Sequence, residues 1–128
     1  MGRNAKEKFS LIARLKSVNH AWRGLGILIK TTHNLWGHLF FAALAIYLGI
    51  ILDISANEWL FIILAIGLVI ITEALNSAFE IDIDLTSPEE HPYARDTKDI
   101  SSAAVFISVW MAMVIGIIIF VPKIFNFW

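Results

Sequence analysis

Three stretches without a charge constrain this chain more than any other feature: Leu39–Leu52, Trp59–Thr72 and Ile100–Val121 contain no Asp, Glu, Lys or Arg. Extended back to about Leu35, the first reaches the roughly 20 residues that a helix needs to cross a hydrocarbon core about 30 Å thick. The apolar helical pattern of the second continues to about Ile83, and the third is long enough by itself. The pattern predicts an all-α membrane protein with spans over about 35–53, 59–83 and 100–121. Composition agrees: 58% of residues are hydrophobic, against about 45–50% in soluble domains, and the mean hydropathy is +0.71. At 128 residues the chain reads as one domain. It has no cysteine, which excludes disulfides and thiolate metal sites.

Charge is distributed unevenly. Arg3, Lys6, Lys8, Arg14, Lys16, Arg23 and Lys30 fall in the first 30 positions with a single acid, Glu7. Leu11, Leu15, Val18, Trp22, Leu25 and Ile29 recur at alternating spacings of four and three, so they share one helical stripe. The expectation is an amphipathic helix over about 5–30, lying on anionic lipid, rather than a nucleic-acid-binding arm. An amphipathic helix packed on protein gives the same pattern. No secretory signal is expected, because the early apolar residues are interleaved with charges. Residues 84–100 hold Pro88, Pro92, five acids and two bases, and read as a hydrated loop. All the Lys and Arg except Lys123 lie in the N-terminal segment or this loop. The positive-inside rule therefore puts both in the cytoplasm, for a multi-pass protein of the inner (plasma) membrane. Trp59, Phe125, Phe127 and Trp128 are placed to anchor at interfaces.

The second span carries the chemistry. Glu73, Asn76 and Glu80 stand at i, i+3 and i+7, and Asp84 continues the row, so all four share one helical face. Glu73 lies about 21 Å along the helix from Trp59 at 1.5 Å per residue, still short of the far side of the core. A carboxylate at such a depth costs about 2.5–3.5 kcal/mol on insertion scales, which marks it as a functional group. A neutral Glu bonding between helices is the structural alternative. Lys98-Asp99 and then Ser101, Ser102, Ala103 and Ala104 open the third span, where small residues let backbones approach closely. A cation beside carboxylates suits a polyanion held through Mg²⁺, an ion that binds one or two carboxylates together with substrate phosphates. The chain contains no Walker-type or kinase-type glycine loop, so a nucleotide would need another cradle.

Glu73-Ala74-Leu75-Asn76-Ser77-Ala78-Phe79-Glu80, followed at loop distance by Lys98-Asp99-Ile100-Ser101-Ser102-Ala103-Ala104-Val105, resembles the signature of the prokaryotic diacylglycerol kinase and undecaprenol kinase family. The similarity extends to Trp22-Arg23-Gly24-Leu25 and to the three-span layout. It implies a homotrimer with sites shared between subunits, in which the γ-phosphoryl group of MgATP passes to a membrane lipid alcohol. By resemblance Glu73 is the catalytic base and meets the lipid, Asn76 organises the site, and Ser102 lies on the lipid side. The same resemblance makes Asn76, Glu80, Glu89, His91, Lys98, Asp99 and His20 nucleotide-binding positions, with Glu80 also a metal ligand.

One departure stands out. Where the family usually has a second metal-binding Glu before the first span, this chain reads Thr31-Thr32-His33-Asn34. Thr32 takes the Glu position and is at best a weak Mg²⁺ ligand, and Trp36 replaces the usual Arg. Asn34 and His38 resemble the undecaprenol-type members, which puts undecaprenol ahead of diacylglycerol. Two rival expectations follow: a catalytically impaired relative that binds nucleotide or lipid, and a small ion-conducting protein using Glu73. Conduction needs no joint presence of Asn76, Glu80, Lys98 and Asp99, which argues against the second.

Overall fold

A computed structural model describes residues 10–126, and these form four α-helices. Helix α1 runs Leu11–Thr31, α2 Leu35–Ile51, α3 Ala56–Thr86 and α4 Pro92–Ile124. The described residues contain no strand. The expected helix over about 5–30 is described only from Leu11, so Arg3, Lys6, Lys8 and the first residues of that stretch lie outside the described residues, as do Phe127 and Trp128.

Local chemistry sets the helix ends. The Ser10 side chain accepts the Ala13 N–H at the start of α1. At the start of α3 a reciprocal capping box forms: Ser55 Oγ accepts the Glu58 N–H at 3.2 Å, and Glu58 Oε1 accepts the Ser55 N–H at 2.9 Å. Between α2 and α3 the chain reverses through Asp53 at φ 50, a left-handed conformation that Asp tolerates better than most residues.

Two helices, α3 and α4, are long and apolar enough to cross a membrane; the count becomes three if α1 and α2, bent by 106° at their junction, are taken as one broken span. Helix α2 has 17 residues, about 26 Å at 1.5 Å per residue, so alone it falls a little short of the core. Helices α3 and α4, with 31 and 33 residues, are about 46 and 50 Å long and exceed it. Their surplus accounts for a difference from the sequence expectation. The hydrated segment between them is not 84–100 but Ser87–His91, because α3 continues to Thr86 and α4 already starts at Pro92. Proline opens a helix well at its first position, where its missing N–H has no intrahelical partner to lose. Pro122, just past the expected end of the third span at 121, stays inside the last turn of α4.

Packing is strongest between α3 and α4, with α2 leaning on α3 and α1 touching α2 and α3 only lightly. A core of Ile54, Ile62, Ile119 and Phe120, with Leu48, Trp59 and Ile115 against it, closes the end where α2 turns into α3. Gly49 makes that closure possible, since a Cβ there would lie 2.6 Å from the Trp59 ring. Lys123 and Glu58 pair across the same end at 3.2 Å. Further along, the buried Ser108 of α4 meets Thr72 of α3 at 2.9 Å. Outside these contacts Phe61, Leu64, Phe106, Ile107, Ile117 and Ile118 are all exposed. A surface this apolar requires lipid or other chains around it.

Candidate functional site

Glu73 is the buried acid of α3, with 3% of its surface exposed. Its Oε1 lies 2.8 Å from His38 Nε2, which reaches across from α2. One turn further along α3, Ser77 Oγ stands 2.6 Å from Thr32 Oγ1, a buried hydroxyl at the α1–α2 bend. The bend thus brings residues that precede the first span onto the acidic face of α3.

Asn76 is fixed from the other side. Its Oδ1 accepts a 2.6 Å hydrogen bond from Ser101 Oγ of α4, a hydroxyl that also donates to the Lys98 carbonyl. This leaves the Asn76 amide N–H₂ facing the Glu80 carboxylate at 3.5 Å, a long contact. Glu80 itself is exposed. Nearer the α3–α4 connection, Lys98 Nζ makes a 2.8 Å ion pair with Asp84 Oδ1. Both line a cleft of about 430 Å³ that also takes in Glu89, His91, Arg95 and Asp99. His91 caps α4 by accepting the Tyr93 N–H at Nδ1, which orients its ring there.

The structure therefore gathers the expected residues into two adjoining groups on the α3–α4 pair: Glu73, Asn76 and Glu80 along α3, then Glu89, His91, Lys98 and Asp99 around the cleft. Ser102 is exposed on α4 beside Ser101, and His20 is exposed on α1, away from the cleft lining. Sequence reasoning did not assign His38, Ser77, Ser101 or Asp84 their partners. Asp84 stood out as the next member of the acidic row, Ser77 and Ser101 as members of the quoted motifs and His38 by its resemblance, but none of these signals named a partner.

An apolar cavity of about 370 Å³ lies between α2, α3 and α4, walled by residues such as Phe41, Ala45, Ala65, Val69, Ala112 and Met113. His38 is its one titratable lining residue. A hydrocarbon tail fits this lining, and a polar head at the His38 end would meet Glu73.

The donor set for a divalent metal is narrow. Among the described residues no group of three or more His, Cys, Asp or Glu is gathered to hold an ion. Glu80 offers an exposed carboxylate next to the Asn76 amide, while the Thr32 hydroxyl is engaged with Ser77. One carboxylate completed by nucleotide phosphate oxygens is a set that fits Mg²⁺, which needs few protein ligands when phosphates are present.

Comparison with known proteins adds to the geometry. Residues 19–120 match the family model described as prokaryotic diacylglycerol kinase. The undecaprenol kinase of Bacillus subtilis (strain 168) is 35% identical over 109 residues, covering 85% of this chain and 89% of that protein. The diacylglycerol kinase of Escherichia coli (strain K12) is 30% identical over 100 residues, covering 78% of this chain and 82% of that one. The diacylglycerol kinase of Pseudomonas aeruginosa is 36% identical over 72 residues, covering 52% and 58%.

Proposed function

The chain belongs to the prokaryotic diacylglycerol kinase family and is an integral-membrane lipid kinase, and from that premise we propose that it transfers the γ-phosphoryl group of MgATP to the hydroxyl of a membrane lipid alcohol. The observation that carries this reading is the placement of Glu73: a buried carboxylate bonded to His38, the polar residue lining an apolar cavity, on the helical face that also holds Asn76 and Glu80. The lipid tail occupies the cavity and its hydroxyl comes to Glu73. The lipid O–H bond breaks and its proton passes to the carboxylate, the lipid oxygen bonds to the γ-phosphorus, and the bridging P–O bond breaks to release ADP. Phosphoryl transfer of this kind depends on positioning and on neutralising charge more than on covalent participation.

Glu80 is the residue that would hold Mg²⁺, which when bound would neutralise phosphate charge. Asn76 is oriented for the same phosphates by Ser101. The nucleotide occupies the cleft at Glu89 and His91, and Lys98 exchanges Asp84 for phosphate oxygen as it enters. Asp99 binds nucleotide beside Lys98 in the same cleft, His20 is a further nucleotide position on α1, and Ser102 faces lipid. The site opens to the cytoplasm, where the basic residues of α1 lie on the inner membrane surface. The active form is a homotrimer, and the exposed apolar faces of α2, α3 and α4 supply its contacts.

Undecaprenol is the favoured acceptor over diacylglycerol. The extensive match to the Bacillus subtilis undecaprenol kinase supports that order, as does the Asn34/His38 pair. An impaired relative remains the second reading, and the engagement of Thr32 with Ser77 favours it, because the position usually held by a metal-binding carboxylate is committed to a protein hydrogen bond. A γ-³²P ATP assay of the purified protein against undecaprenol, diacylglycerol and other lipid alcohols separates the two. Label in a lipid phosphate supports the kinase, and MgATP binding without any labelled lipid supports the impaired relative.

A further inference from the structure

His38 on α2 and Glu73 on α3 are joined at 2.8 Å from Nε2 to Oε1. The Glu73 side chain is 4% exposed and the imidazole 21%. We propose that His38 is the positioning residue for Glu73: it holds Oε1 so that Oε2 is presented to the incoming lipid hydroxyl. The proposal rests on the reading of Glu73 as the base.

Taking a carboxylate out of water is costly unless a donor compensates it. Among the described residues the His38 ring is the only side chain bonded to Glu73. An ionised carboxylate can only accept, so the ring nitrogen facing it carries the hydrogen, and a neutral imidazole then has its acceptor at Nδ1. The two carboxylate oxygens thereby become different. Oε1 is occupied. No buried side-chain oxygen or nitrogen among the described residues lacks a partner, so Oε2, which makes no hydrogen bond, keeps an opening to its surroundings.

The apolar cavity reaches His38, the residue bonded to Glu73. His38 is the polar end of an otherwise apolar wall that includes Phe41, Val69 and Met113. A lipid whose tail fills this space brings its hydroxyl past His38 to Glu73. The proton then leaves the lipid oxygen for Oε2, while the His38 Nε2–H stays on Oε1 and the ring neither gains nor loses a proton. Without the imidazole, the Glu73 side chain is free to rotate away from this alignment, and displacement of a reacting group by about 1 Å can lower a rate about 10²-fold.

The test is steady-state kinetics of the purified full chain in mixed micelles, with undecaprenol and with dioleoylglycerol as acceptors. His38→Ala is expected to lower kcat about 10²-fold while leaving KM for MgATP little changed. His38→Gln, whose amide nitrogen reaches the place of the ring Nε2, should recover most of the rate; the shorter His38→Asn should not. In a Glu73→Gln background, His38→Ala should cause no further loss, since residues acting through one another are not additive. Wild-type kcat in His38→Ala, equal rates in the Gln and Asn variants, or a full additional loss in the Glu73→Gln background would each overturn the proposal. Should His38→Ala fail to fold, the Gln and Asn pair decides it alone. An active Glu73→Gln single variant would instead remove the reading of Glu73 as base, a failure distinct from that of His38.

Discussion

Thr32 Oγ1 and Ser77 Oγ stand 2.6 Å apart, tying the bend between α1 and α2 to the middle of the acidic face of α3. Ser77 follows Glu73 by four residues and precedes Glu80 by three, so position 32 faces the site between its two acids. Thr32→Glu is therefore expected to add a second carboxylate within reach of a metal at Glu80. The Mg²⁺ concentration giving half-maximal activity should fall, with no change in lipid preference. Loss of the hydroxyl pair should cost about 1 kcal/mol in metal-free protein. Glu80→Gln should act in the opposite direction, weakening MgATP binding, with partial recovery in high Mg²⁺ or Mn²⁺. Titrations of activity against metal concentration check both variants.

The far end of the molecule should respond to packing and not to chemistry. A methyl group at Gly49 would lie 2.6 Å from one Trp59 ring atom and 2.8 Å from another, in a region already filled by Ile54. Gly49→Ala must displace the ring or separate α2 from α3. Overpacking of this kind costs about 1–3 kcal/mol, so a lower thermal midpoint in detergent is expected. The turnover of the folded fraction should be retained, because the Glu73 site lies toward the other end of α3.

The orientation follows from the basic residues, which apart from Lys123 lie in the first 30 positions or at Arg95 and Lys98. A reporter fused after Phe125 is expected to signal an extracytoplasmic location. Cytoplasmic activity from that fusion would contradict the orientation and, with it, a nucleotide site fed from the cytoplasm.

Much of this architecture is legible in the sequence, and the parts that are not share a cause. The uncharged runs of α3 and α4 read as membrane-length helices because apolar residues surround the whole helix. The row Glu73, Asn76, Glu80 and Asp84 is equally plain, since spacings of three and four leave no other face. The ends of helices were harder to read: Pro92 breaks a helix in its interior but begins one at its first position, and the sequence pattern does not say which applies. The partners of the polar groups were hidden. Thr32 and Ser77 are 45 residues apart, and His38 and Glu73 are 35 apart, so only the bend after Thr31 and the packing of α2 on α3 bring them together.

The central claim is that Glu73 takes the proton from the lipid hydroxyl, and Glu73→Gln tests it most directly. The amide keeps the size of the side chain, and its oxygen still accepts the His38 Nε2–H, but it does not accept the lipid proton. In a γ-³²P ATP assay of lipid phosphorylation, kcat is expected to fall about 10²–10⁴-fold, the usual contribution of a general base, with MgATP affinity little changed. Lipid phosphorylation at the wild-type rate by Glu73→Gln would contradict the mechanism.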